Sequence, residues 1–151
     1  MSGDTVIRPA TPSDRTRIEA IVAAAYSPYL ARMDRKPAPM LDDYARRIAD
    51  GQTFVLEMDR VVAGALVLED HDGFLLLDNI AVDPSHHGKG FGKRLMAFTE
   101  EEARRRGYAT IELYTNEVMV ENIALYRRLG YVETQRVRDR GYDRVYLRKA
   151  L

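Results

Sequence analysis

Residues 74–95 read FLLLDNIAVDPSHHGKGFGKRL, and the rest of the chain is arranged around this stretch. It opens with an apolar run of strand length that breaks at Asp83-Pro84, and glycines follow at positions 88, 90 and 92. Apolar residues then recur at helical spacing from Phe91 onward. A strand, a glycine loop and a helix in this order predict an anion-binding site, because free loop amides meet the positive end of the helix dipole. Lys89 and Lys93 add full positive charges to this site.

Two common phosphate-binding motifs do not fit the glycine loop. A P-loop has Ser or Thr after its Gly-Lys pair, whereas Arg94 follows Gly92-Lys93 here. A dinucleotide-binding loop has a third glycine three positions after the second. Lys93 or Leu95 stands at that position, depending on which pair of glycines is chosen. Both motifs are therefore excluded.

The loop resembles the pyrophosphate loop of the GNAT acetyltransferases, whose pattern is Q/R-x-x-G-x-G/A. Residues 87–92 read HGKGFG and fit this pattern, except that His87 stands where Gln or Arg is usual. The family's strand ending in Val-x-Pro also precedes the loop, as residues 80–84. The departure at His87 affects one side-chain contact and leaves the backbone cradle intact.

A second segment supports the same resemblance. Residues 122–131 read NIALYRRLGY and are similar to the family's segment that begins with Asn and ends in Leu-Gly-Tyr or Leu-Gly-Phe. Asn122 and Tyr126 are four residues apart, so they lie on one face of a helix. By resemblance, Asn122 contacts the pantetheine arm of the cofactor, and the Tyr126 hydroxyl lies near its sulfur.

The remaining chain predicts an α/β fold with a mixed sheet, because strands and helices alternate in the middle and strands pair antiparallel at the ends. The resemblance specifies the GNAT fold, in which a mostly antiparallel central sheet is flanked by helices. The other predicted strands are Thr5–Pro9, Thr53–Glu57, Val61–Glu69, Ala109–Thr115 and two around Asp139–Gly141, and the other predicted helices are one led by Thr11–Asp14, Leu41–Ala49 and Val118–Leu129.

The resemblance implies an acetyl-CoA-dependent N-acetyltransferase that acts on a primary amine of a small molecule, an amino acid or a peptide. The amine attacks directly in a ternary complex, since the chain has no cysteine to carry the acetyl group. It further implies that acetyl-CoA contacts Ile80, Ala81, Val82, His87, Gly88, Lys89, Gly90, Phe91, Gly92, Lys93 and Asn122.

The catalytic candidates are one acid and two alternative bases. Tyr126 is expected to protonate the departing thiolate. Asp78 and Glu112 are candidate general bases, acting directly or through water. Asp78 is preferred because it interrupts an apolar strand, where a carboxylate is costly, although a solvated position on a splayed strand would explain it equally well.

Residues 26–40 mix aromatic and charged side chains with three prolines, which predicts a loop. The resemblance makes this loop one wall of an acceptor pocket, with Tyr26, Tyr29 and Arg32 as substrate contacts. A solvated connection with its aromatic side chains in the core is the alternative. Tyr114 on the following strand is a further candidate for the pocket, although strand tyrosines more often pack across the sheet.

Composition narrows the classes of protein. A chain of 151 residues with 46% apolar content can bury one core, which predicts a single domain over residues 1–151. Lys plus Arg and Asp plus Glu balance at 23 each, so we expect neither nucleic acid nor a membrane as partner. No hydrophobic segment resembles a membrane span or a signal peptide, including at Met1–Asp4, which predicts a cytoplasmic protein.

No metal is expected, because there is no cysteine and the adjacent pair His86-His87 could rarely face one ion. Two alternative functions remain open. One is a non-catalytic domain that binds acyl-CoA, and the other is a toxin-like acetyltransferase of aminoacyl-tRNA, which the balanced charge disfavours. The family also includes homodimers joined through the C-terminal strands, so a homodimer is compatible with the resemblance.

Overall fold

The computed structural model describes residues 4–151. Residues 1–3 lie outside the described residues. They belong to the N-terminal segment in which no signal peptide is expected. A seven-stranded sheet has the order β1-β2-β3-β4-β5-β7-β6. Every neighbouring pair is antiparallel except β4 and β5, which confirms the predicted α/β fold with a mixed, mostly antiparallel sheet. The strands are β1 (Thr5–Pro9), β2 (Thr53–Met58), β3 (Val61–His71), β4 (Phe74–Val82), β5 (Thr110–Asn116), β6 (Val132–Asp139) and β7 (Tyr142–Ala150).

Helices cover both faces of the sheet. On one face, α1 (Arg15–Tyr26) and α2 (Tyr44–Ala49) bury Ile18, Val22 and Tyr44. On the other, α3 (Phe91–Arg105) and α4 (Val120–Arg128) bury Leu95, Ala103 and Ile123. The two faces therefore have separate cores. None of the helices described for residues 4–151 is long and apolar enough to cross a bilayer.

Two helices begin later than the sequence predicts, because a polar side chain caps or precedes each of them. The α2 helix begins at Tyr44, where the Asp43 carboxylate accepts the Arg46 amide at 3.2 Å. Leu41 instead ends a short 3-10 turn, Ala38–Leu41. The α4 helix begins at Val120, since the Asn116 side chain accepts the Val118 amide at 3.1 Å and holds a turn before it.

A β-bulge in β4 places Asp78 outside the regular ladder. Leu77 pairs with Leu68 and Asn79 pairs with Val67, which leaves Asp78 unpaired across β3. The extra residue reverses the alternation of side chains. Leu77 faces the core under α3, whereas Asn79 lies on the α1 side, where its amide donates to the Tyr44 hydroxyl at 2.9 Å. The bulge thus lets an apolar strand carry a carboxylate.

The two parallel strands separate directly after this bulge. Their pairing ends at Leu77 and Leu113, although β4 continues to Val82 and β5 continues to Asn116. The separated halves leave unpaired backbone in the middle of the sheet. This opening positions the candidate site.

Candidate active site

The loop before α3 has the backbone geometry expected of an anion-binding site. Gly88 and Gly90 have φ angles of 82° and 76°, a left-handed conformation in which a side chain is strained, and Gly90 is the N-cap residue of α3. The first amide of this turn that is paired within residues 4–151 is that of Arg94, which donates to the Gly90 carbonyl at 3.1 Å. The amides of residues 88–93 therefore remain available to a ligand.

Gly92 shows that the loop leaves room for that ligand. Its backbone is helical, and a Cβ atom placed on it would meet no atom of residues 4–151 within 4 Å, apart from its chain neighbours and its own helix backbone. Contacts within the protein therefore do not require glycine here, whereas a group lying against the helix end would. Unpaired amides, an open cradle and nearby lysines fit the pyrophosphate of acetyl-CoA.

A groove of about 580 Å³ runs from this loop along the end of β4 to α4. It brings together all but one of the residues predicted to contact acetyl-CoA. Lys89 is the exception, since its ammonium lies 3.2 Å from His86 Nδ1 and the residue does not line the groove. The lining residues are Ile80, Ala81, Val82, His86, His87, Gly88, Gly90, Phe91, Gly92, Lys93, Met96, Asn122, Leu125, Tyr126 and Leu129.

Four of these lining residues were not predicted: His86, Met96, Leu125 and Leu129. Helical periodicity could have found three of them. Met96 follows Gly92 by four positions, and Leu125 and Leu129 continue the face of Asn122. They supply the apolar wall that an alkyl chain needs.

Tyr126 lies in this groove with its side chain almost fully buried. Its exposed fraction is 7%, and within residues 4–151 its hydroxyl has no hydrogen-bond partner. Burial raises its pKa well above the usual value for tyrosine, with a smaller contribution from Tyr29. The hydroxyl is therefore protonated at neutral pH and free to donate into the groove.

A second, smaller cavity of about 40 Å³ lies on the other side of β4 and contains Asp78. This volume holds a few water molecules. It is lined by Tyr26, Met33, Pro37, Ala38, Pro39, Asp78, Tyr114, Thr115, Asn116, Met119, Tyr142 and Arg144. We call it the acceptor cavity.

Two donors from different elements orient the Asp78 carboxylate. The Tyr114 hydroxyl donates to its Oδ1 at 2.6 Å, and Arg47 Nη2 on α2 donates to its Oδ2 at 3.2 Å. Burial raises the pKa of Asp78, while the Tyr114 hydrogen bond and the Arg47 charge oppose that shift. Arg47 also pairs with Asp42 at 2.9 Å and with Glu69.

The structure separates the predicted acceptor contacts into two groups. Tyr26 and Tyr114 line the acceptor cavity, and the Tyr26 hydroxyl lies 2.8 Å from Asn79 Oδ1 and 3.2 Å from the Ile80 carbonyl oxygen. Tyr29 and Arg32 do not line it. The Tyr29 hydroxyl lies 3.5 Å from Asn122 Oδ1, and Arg32 donates to both carboxylate oxygens of Glu121, so both attach the loop to α4.

Of the alternatives for residues 26–40, the cavity favours a wall, because Met33 and residues 37–39 form one side of it. Glu112 shares a face of β5 with Tyr114 but lies two residues earlier, and it lines neither the groove nor the acceptor cavity. His86 and His87 both border the groove. Within residues 4–151, no group of three or more His, Cys, Asp or Glu side chains is arranged to hold a metal ion.

A helix end with unpaired amides and two cavities on either side of one strand are compatible with a transferase that uses a phosphate-bearing cosubstrate. The family model described as "Acetyltransferase (GNAT) family" matches residues 17–131. The chain therefore belongs to the GNAT acetyltransferase family, as the loop and the Asn122–Tyr131 segment predict.

Relatives and solved structures agree with this assignment. Streptothricin acetyltransferase of Streptomyces lavendulae is 36% identical over 86 residues, which cover 55% of this chain and 46% of that protein. The ribosomal protein bS18-alanine N-acetyltransferase of Escherichia coli K12 is 40% identical over 57 residues, or 38% of each chain. The chain thus matches about half of the first relative's length, and less of the second.

The fold is similar to that of PaiA N-acetyltransferase from Thermoplasma acidophilum, solved in complex with coenzyme A. The TM-score is 0.81 over 98% of this chain and 99% of that one, and the sequence identity is 15%. At this identity the similarity concerns the fold. The central sheet and its flanking helices are those of GNAT proteins.

Proposed function

We propose that this protein transfers the acetyl group of acetyl-CoA to a primary amine by direct attack in a ternary complex. The observation that carries the proposal is the position of two cavities on one strand. Ile80 to Val82 line the groove, and Asp78, just before them on β4, lines the acceptor cavity. An acceptor nitrogen and a thioester arm bound there would meet at the bulge.

The loop and α4 bind and orient the cosubstrate. The free amides of residues 88–93 and the Lys93 ammonium hold the pyrophosphate, while Asn122 and the apolar wall of α4 align the pantetheine arm. When bound, acetyl-CoA supplies the activated thioester. The Val82 backbone amide, which points away from β3 beyond the end of the β4–β5 pairing, faces the developing oxyanion.

Asp78 acts as the general base in this proposal. An alkyl amine with a pKa near 10.4 is only about 0.04% neutral at pH 7, so the site must remove a proton before attack. The ionised Asp78 carboxylate can take that proton, since two donors hold it at the cavity wall and it retains lone pairs. Glu112 is a weaker candidate because it lies outside both cavities.

Tyr126 acts as the general acid toward the departing sulfur. A C–N bond forms, the C–S bond breaks, and the ammonium gives up two protons during the reaction. One proton leaves through Asp78 to solvent, and the leaving thiolate takes the other by way of Tyr126. The raised pKa of Tyr126 is compatible with this role, because the groove that buries the hydroxyl also desolvates the thiolate and makes it more basic.

Titration calorimetry with acetyl-CoA, ATP and NAD, followed by a thiol-release assay with a panel of amines, tests the proposed function. We expect micromolar binding of acetyl-CoA alone and release of free thiol only when an amine is present. Binding without turnover on any amine would favour the non-catalytic acyl-CoA-binding alternative. Turnover restricted to aminoacyl-tRNA would favour the toxin-like alternative.

The role of Asp78 predicts a pH effect of Arg47. Replacing Arg47 with Gln removes a positive charge that lowers the pKa of Asp78, so that pKa rises. The base is then protonated up to a higher pH, and the acid limb of the pH profile of kcat/KM moves upward. The Arg47→Gln variant keeps the other charged and titratable groups around Asp78, so they do not contribute to the change. These groups are Tyr26, Asp42, Tyr44, Glu69, Tyr114 and Arg144.

Arg46→Gln is the matched control, because Arg46 lies next to Arg47 on α2 with 79% of its side chain exposed and, among residues 4–151, pairs only with Asp50. We expect its pH profile to coincide with that of the wild type. An unchanged acid limb in Arg47→Gln would remove Asp78 from the role of base.

A further inference from the structure

Two oppositely charged side chains of the acceptor cavity contact the same tyrosine, Tyr114. The Asp78 carboxylate accepts from the Tyr114 hydroxyl at 2.6 Å, and the Arg144 guanidinium lies 4.3 Å from the centre of the Tyr114 ring. The Tyr114 side chain therefore bridges the carboxylate and the guanidinium, which lie close together in space. Both line the same small cavity.

The Asp78 end attracts a cation. Arg47 faces three carboxylates there, those of Asp42, Glu69 and Asp78, so this cluster is negative overall. Asp78 accepts one hydrogen bond on each oxygen, which leaves lone pairs for an ammonium group. This end of the cavity fits the amine of the acceptor.

The Arg144 end fits an anion. Its side chain is 12% exposed, and its Nη1 donates to Asp139 at 2.8 Å, with Tyr146 beside it. A guanidinium has five N–H groups, so further donors remain for a carboxylate. Arg35 adds positive charge near the cavity, since its guanidinium lies 4.2 Å from the ring centre of Tyr142.

The cavity is narrowed on one side as well as charged. The Tyr142 hydroxyl donates to the Lys36 carbonyl at 2.6 Å, and Arg35 donates to the Arg140 carbonyl at 2.9 Å. These contacts join the loop of residues 27–43 to the β6–β7 hairpin across the cavity. Met33, Pro37 and Met119 supply apolar lining beneath them. These contacts narrow one side of the cavity, which favours a compact free molecule over a polypeptide.

We propose that the acceptor is a free α-amino acid with a compact apolar side chain, bound with its ammonium at Asp78 and its carboxylate at Arg144. This inference rests on the proposed acetyl transfer and makes Arg144 a specificity-determining residue. The bonds made and broken are those given above: the α-nitrogen gains the acetyl group, the C–S bond breaks, and one proton is released to solvent.

Matched pairs of acceptors test the proposal directly. The probes are L-alanine and L-valine, each compared with its carboxamide, together with a short peptide that begins with alanine. The wild-type protein is expected to have a KM at least about tenfold lower for each acid than for its amide, since one charge-assisted contact of about 1.4 kcal/mol corresponds to a factor of ten.

Arg144→Gln is expected to remove this preference by raising KM for the acids, while kcat and the KM values for the amides change little. Arg144→Lys keeps the positive charge and is expected to retain part of the preference for the acids. If both variants lose activity on acids and amides alike, the cause is loss of folding. Arg148→Gln is the control, because Arg148 lies on the same strand and face as Arg144 but does not line the cavity. We expect it to behave as the wild type.

The other outcomes overturn the inference in distinguishable ways. Equal or better turnover of the amides or the peptide would show that the carboxylate is not recognised, and acetyl transfer would still stand. An unchanged preference in Arg144→Gln would remove Arg144 from recognition. If no amine is acetylated although acetyl-CoA binds, the proposed function itself fails, and the amino-acid assignment fails with it.

Discussion

Gly90→Asp is expected to abolish measurable binding of acetyl-CoA. Gly90 caps α3, and the loop around it offers the unpaired amides to which the pyrophosphate is assigned. A carboxylate at this position would face the phosphate oxygens. Two like charges 4 Å apart at an effective dielectric constant of 20 repel by about 4 kcal/mol, which corresponds to a loss of affinity of more than a hundredfold. Titration calorimetry measures this loss.

Gly90→Asn separates the charge from the backbone strain. Both variants place a side chain of nearly the same size on a residue with φ of 76°, and Asn tolerates this left-handed conformation. We expect Asn to weaken binding far less than Asp. Equal affinities in the wild type and in Gly90→Asp would disprove the assignment of the loop to phosphate.

Tyr126→Phe is expected to lower kcat about a hundredfold while the Kd for acetyl-CoA stays nearly constant. The substitution removes only a hydroxyl that has no partner within residues 4–151, so the buried ring keeps its packing. The effect therefore falls on protonation of the leaving sulfur rather than on binding. Steady-state kinetics and calorimetry on the same preparation distinguish the two.

Tyr131→Phe is a close control for this variant. The Tyr131 ring packs edge-on against Tyr126 at 6.1 Å, it is 3% exposed, and its hydroxyl is buried without a hydrogen bond among the described residues. It does not line the groove. We expect the control to keep its kcat. A similar loss in both variants would mean that Tyr126 acts through packing.

The residues predicted to contact acetyl-CoA could be grouped from sequence because they are close in the chain. Gly88 to Lys93 form one loop and helix start, and Asn122 and Tyr126 share a helix face through the i, i+4 rule. The structure places these residues, apart from Lys89, in or along one groove. The helical spacing of apolar residues from Phe91 onward likewise predicted α3.

The acceptor half was predicted less completely, because its contacts join distant parts of the chain. Asp78 receives Arg47 from 31 residues before it and Tyr114 from 36 residues after it. No local pattern marks the β-bulge that presents this carboxylate. Tyr29 and Arg32 were predicted as acceptor contacts from their aromatic and charged character, yet they attach the loop to α4.

The sequence by itself indicated the family, through the resemblance of residues 87–92 and 122–131 to its motifs. It also determined the α/β class, the glycine loop before α3 and the face of α4 that carries Tyr126. These last features depend on strand and helix periodicity and on glycine backbone geometry, which act over a few residues. The tertiary structure alone decided where β4 and β5 separate, which groups hold Asp78, and that Arg144 lines the same cavity as Asp78. Those features arise because α2 and the C-terminal hairpin pack against the sheet. This packing brings together charged residues that are more than 30 positions apart in the chain.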